Sequence, residues 1–87
     1  MTKIEESFFE ALRYAADRDM LVNIQTYKGK FFCHVQYDKK IEGYAGFSHN
    51  HSFQEQDLNL INLIHSIRSS TDMILERVKL SQQLDHD

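Results

Sequence analysis

The chain has no proline and no tryptophan, and a single cysteine among its 87 residues. One cysteine excludes an intrachain disulfide and fits a reducing compartment, so the expected location is the cytoplasm. No run of eighteen apolar residues occurs, so no transmembrane helix is expected. The N-terminus, MTKIEES, places acids where a secretory leader would be apolar. No nucleophile–base pattern and no phosphate-binding glycine loop is recognisable. The expectation is therefore a non-enzymatic protein with no catalytic residues and no cofactor.

What is present fits one folded domain over residues 1–87, with 41% hydrophobic and 26% charged residues. A domain this small buries only about 60–65% of its unfolded surface and gains from oligomerising. The net charge of −3 is unevenly spread. Residues 1–20 hold three bases and five acids, and residues 49–87 hold three bases and six acids. Only residues 21–48 are basic, with Lys28, Lys30, Lys39 and Lys40 against Asp38 and Glu42. Nucleic-acid binding usually leaves a basic footprint on the whole domain.

Thr2-Lys3-Ile4-Glu5 is a capping-box pattern, and Ile4, Phe8, Ala11, Leu12 and Ala15 then share a face. A helix is expected over 3–18. Residues 21–27 alternate, with Val22, Ile24 and Thr26 on one side and Asn23, Gln25 and Tyr27 on the other, as in a half-buried strand. Lys28-Gly29 suits a two-residue hairpin turn into a second strand over 31–37. That turn pairs Thr26 with Phe31, Ile24 with Cys33 and Val22 with Val35, all on one face. A three-residue loop at 38–40 would lead to a third strand over 41–47. It would set Ile41, Gly43, Ala45 and Phe47 against Tyr37, Val35, Cys33 and Phe31. Residues 48–51 read as a polar loop. Ser52-Phe53-Gln54-Glu55 reads as a second capping box opening a long helix over 53–83.

The expected fold is α+β in the order αβββα, a three-stranded antiparallel meander packed by two helices. The long helix carries Leu60, Ile61, Ile64, Ile67, Thr71, Ile74, Leu75 and Val78 at helical spacing. A helix of thirty residues spans roughly 45 Å, against about 25–30 Å for a round domain of this length. The overhang would leave Thr71, Ile74, Leu75 and Val78 to meet a second copy, so a homodimer with that seam is expected.

Tyr27, Phe32, His34 and Tyr44 fall on the outer sheet face and are the expected partner-binding residues. His49 and His51 are the metal-ligand candidates, an H-x-H pair with Glu55, Asp57 and His65 downstream. No third ligand has a fixed spacing, so no metal is expected. Cys33 is expected in the core, where a thiol is inert. Lys28 and Lys30 lie at one end of the second strand and Lys39 and Lys40 at the other. These ends are roughly 25 Å apart at ~3.3 Å per residue, two separate pairs rather than one patch.

Two families resemble this order of elements. The double-stranded-RNA-binding domain is αβββα and places a lysine cluster at the start of its second helix. The chain has Gln54-Glu55-Gln56-Asp57 there, so the resemblance implies the shape without the RNA contact. The small dimeric nucleoid-associated proteins of the YbaB type are also αβββα. Leu60-x-x-Leu63-Ile64 looks similar to their second helix, whereas the first helix is shorter and the third strand differs. Gly43-Tyr44-Ala45-Gly46 matches the G-x-x-G of KH domains, which lies between two helices rather than in a strand. The expected function is a protein–protein interaction module, a small homodimeric inhibitor or adaptor of the sort phages and mobile elements encode. The alternative is a nucleic-acid binder of the two resembled topologies. No membrane partner is expected.

Overall fold

A computed structural model of the chain describes residues 1–41, 43 and 46–84. The elements are α1 (Lys3–Ala16), β1 (Met20–Tyr27), β2 (Lys30–Tyr37), β3 (Ser48–Gln54), a single 3-10 turn (Glu55–Asp57) and α2 (Leu60–Leu84). The fold is α+β in αβββα order, and the three strands form one antiparallel sheet with β2 in the middle. No helix among the described residues is long and apolar enough to cross a membrane.

Thr2 caps α1 with the expected box: the Glu5 amide donates to the Thr2 hydroxyl, and the Glu5 carboxylate accepts from Thr2. The helix stops at Ala16, two residues short of the expected end. Asp17 is its C-cap, and Asp19 turns the chain with a φ of 65°. The β1–β2 hairpin has the expected register, with Val22 opposite Val35, Ile24 opposite Cys33 and Thr26 opposite Phe31. Its turn works because Lys28 and Gly29 both adopt positive φ, 48° and 75°, which matches the right-handed twist of the strands.

The third strand is not where the sequence places it. The partner of β2 is Ser48–Gln54: Phe31 faces Phe53, Cys33 faces His51 and Val35 faces His49. The register is displaced by six residues, so the same sides still face the core. Gly43 and Gly46 explain the displacement. Their φ values of 88° and 135° belong to a loop, where glycine alone is unstrained. Pairing with β2 is already present at Phe47, whose carbonyl accepts from the Tyr37 amide at 2.9 Å. The sites expected at Tyr44 and Ala45 lie outside the described residues.

The start of α2 moves with the strand. Ser52 is in β3 rather than an N-cap, and the helix opens at Leu60 instead of residue 53. Asn59 caps it: its side-chain oxygen accepts from the Asn62 amide at 2.8 Å, and the Asn62 side chain donates to the Asp57 carbonyl at 2.6 Å. Losing such a cap typically costs about 1 kcal/mol. Asn59→Ala should lower stability by that order in urea titration, whereas Ser52→Ala should change it by less than about 0.5 kcal/mol, as at ordinary surface sites.

The core joins Ala11 and Ala15 of α1, Met20, Cys33 and Val35 of the sheet, and Leu63, Ile67, Ile74 and Val78 of α2. On α2 the covered line runs through Leu63, Ile67, Ser70, Ile74, Val78 and Ser81, while Ile61 is exposed. Small serines there and alanines on α1 let backbones approach closely. The buried hydroxyl of Thr71 donates to the Ile67 carbonyl at 2.7 Å, and that of Ser81 to the Val78 carbonyl at 2.7 Å.

This burial corrects the expected dimer seam. Thr71 and Ile74 are wholly covered within one chain, Val78 nearly so, and Leu75 is half-buried. The molecule is a slab of 46 × 30 × 15 Å rather than a ball. A 25-residue helix of about 38 Å lies within the long dimension, so it does not overhang.

Candidate functional site: the outer face of the sheet

Both helices pack on one face of the sheet, and no element among the described residues covers the other. Strand pairing sorts its side chains into four rows. Leu21, Gln36 and Ser48 form one row, and Asn23, His34 and Asn50 the next. Gln25, Phe32 and Ser52 form the third, and Tyr27, Lys30 and Gln54 the last, beside the hairpin turn. None of these side chains is a carboxylate, and the one fixed cation, Lys30, stands at the rim.

Tyr27, Phe32 and His34, singled out from sequence, come together here. With Gln25, Thr26 and Asn50 they line a shallow depression. Tyr27 is 64% exposed, and Phe32 and His34 are half-buried by their neighbours. The Lys28 ammonium lies 5.3 Å from the centre of the Tyr27 ring, a cation–π distance. Gln25 and Asn50, which sequence reasoning did not single out, supply amide donors and acceptors beside the rings. Asn50 is not legible from sequence, because its segment reads as a polar loop rather than as part of β3. Placing a partner on this face displaces water from amides and rings, and needs no stripping of buried like charges.

The lysines remain two separate pairs, as expected. Lys39 is further engaged, with Nζ 3.2 Å from Asp19 Oδ2 in an exposed ion pair.

The metal-ligand candidates face the other way. His49 and His51 alternate onto the inner side of β3, with ring centres 4.7 Å apart. Among the described residues, no group of three His, Cys, Asp or Glu side chains could hold a metal ion. His51 Nδ1 lies 2.8 Å from the Ser66 hydroxyl of α2. Ser66 also interacts with the thiol of Cys33, the cross-strand neighbour of His51. Cys33 is fully covered, and burial pushes its thiol up, only partly opposed by Ser66. A covered thiol of raised pKa is a poor nucleophile. These side chains therefore serve as polar packing between sheet and helix. The sequence places Cys33 in the core correctly, whereas Ser66 and the inward His51 are not legible there because serine and histidine rarely signal packing.

Burial holds the His49 imidazole below the ordinary histidine range, and His51 and Arg77 push it the same way. The unfolded chain then binds this proton more readily than the folded one. Stability from this group is complete above the ordinary value of 6.5 and is lost as pH falls through it, levelling off below the folded value. The urea midpoint should fall between about pH 7.5 and 5.5, and less steeply in His49→Gln. Equal slopes in the two proteins would show that His49 does not carry the effect.

No protein-family model matches this chain, and neither does any curated protein or solved structure.

Proposed function

We propose that the chain is a non-enzymatic protein–protein interaction module, a small cytoplasmic homodimer acting as an inhibitor or adaptor. Its outer sheet face takes the protein partner. The observation that carries this reading is the composition of that face. Rings at Tyr27 and Phe32 stand among Asn, Gln and Ser side chains with no carboxylate present. Tyrosine, serine and asparagine dominate antibody paratopes for the same reason: rigid contact area beside adaptable hydrogen bonding. Aromatic residues are also the usual anchors of interface hot spots.

Rings on an open sheet also stack nucleic-acid bases, which gives the second reading. It has few phosphate contacts: the cations near the face are Lys30 at the rim and Lys28 over the Tyr27 ring, and Lys39 pairs with Asp19. Capture from the native cell on wild-type protein, with Tyr27→Ala as the control, separates the two. A protein retained by wild type and lost by the variant supports the first reading. Recovery of nucleic acid that elutes steeply with salt supports the second.

A further inference from the structure

Among the described residues, no strand pairs with the outer edge of β1. We infer that two copies of the chain pair antiparallel along β1, centred on Ile24, into one six-stranded sheet. This deepens the homodimer part of the reading above.

Natural sheets protect their edges with charge, proline, bulges or a covering element. Strand β1, MLVNIQTY, has no charged residue and no proline, and its eight residues pair with β2 without a bulge. It also holds three of the exposed large hydrophobic residues among those described: Leu21 at 54%, Ile24 at 40% and Tyr27 at 64%. The opposite edge, β3, holds none.

Backbone phase decides which residues can pair. The Asp38 amide donates to the Asp19 carbonyl at 2.8 Å, so Asp19 and every second residue after it address β2. Met20, Val22, Ile24 and Thr26 therefore turn their N–H and C=O groups to the open edge.

A two-fold axis normal to the sheet must place like faces together, so only alternate registers are allowed. Centring on Ile24 sets Ile24 against Ile24 of the other copy and Val22 against Thr26. On the outer side it sets Leu21 against Tyr27 and Asn23 against Gln25. All three exposed hydrophobic residues gain an apolar or aromatic neighbour, and the amides meet amides. Centring on Asn23 or Val22 puts Leu21 against an amide and runs Tyr27 past the end of the strand. Alternate edge residues would exchange about six backbone hydrogen bonds, and six strands is an ordinary sheet size.

The test is sedimentation of the full chain at high micromolar concentration, with amide exchange on the same samples. Wild type should sediment at twice the 10.3 kDa chain mass. The amides of Val22, Ile24 and Thr26 should be protected and should lose protection on dilution. Ile24→Lys and Ile24→Glu should each be monomeric with wild-type circular dichroism. Their mixture should recover the dimer, because this register alone sets residue 24 against itself. A monomeric wild type would overturn both this inference and the homodimer part of the proposed function. A wild-type dimer with unprotected edge amides, or variants that stay dimeric, would overturn the β1 pairing alone. Should the variants fail to fold, the exchange pattern of wild type decides by itself.

Discussion

Ile74→Ala will cost the folded state about 2–5 kcal/mol, the range for truncating a buried isoleucine. Ile74 is fully covered within one chain and belongs to the core that joins both helices and the sheet. A domain of 87 residues has roughly 4–13 kcal/mol of total stability, so the truncation removes a large share. Ile74→Asp adds an unpaired charge to the lost packing and should leave no cooperative transition. Ile61, one face away on the same helix, is 55% exposed. Ile61→Ala should stay within about 0.5 kcal/mol of wild type. Urea denaturation of the three variants measures this. The Ile74→Ala protein should keep the wild-type mass in sedimentation, since its side chain packs inside the chain. A change of mass with little change of stability would return Ile74 to an intermolecular seam.

The second large effect is expected on binding. Phe32→Ala should weaken partner binding by at least about thirtyfold, the cost of losing a hot-spot anchor of ~2 kcal/mol. The ring stands in the middle strand, opposite Gln25 on one side and Ser52 on the other. It lines the depression with Tyr27 and His34. It does not belong to the buried core, so the melting temperature should move little beside that of Ile74→Ala. Loss of stability with binding intact would make the ring a cross-strand packing residue only.

The parts of this fold legible in the sequence are those where one residue type carries one signal. Thr2 and Glu5 mark a helix start without ambiguity, and the alternation of residues 21–27 with Lys28-Gly29 sets the hairpin register. Beyond residue 37 the signals conflict. The core positions of β3 are His49, His51 and Phe53, so two of three inward residues look hydrophilic. Ser52-Phe53-Gln54-Glu55 copies a capping box that the chain does not use, whereas Asn59 caps α2 with Asn62 as its partner. Gly43 and Gly46 were the available warning, because two glycines rarely sit in a short central strand. The stripe read on α2 is the packed one except at Ile61, which is exposed, and the buried Ser66 and Ser70 extend it. Only a round molecule would leave the long helix overhanging. Two helices on one side of three strands make a slab, which accommodates a long helix along its length.

The shared face of three of the candidate residues was also legible. Tyr27, Phe32 and His34 sit on the hairpin, whose register the sequence sets correctly, so their shared face followed. Gln25 completes the depression from the same hairpin, and Asn50 from the strand that was misplaced.

We propose that the outer sheet face binds a protein through its rings and amides. The most direct test is the dissociation constant of the captured partner, titrated with wild type and Phe32→Ala at low and moderate salt. The predicted result is a large loss of affinity in Phe32→Ala and a shallow salt dependence in wild type. Unchanged affinity in Phe32→Ala, or a nucleic-acid partner whose affinity collapses as salt rises, would contradict it.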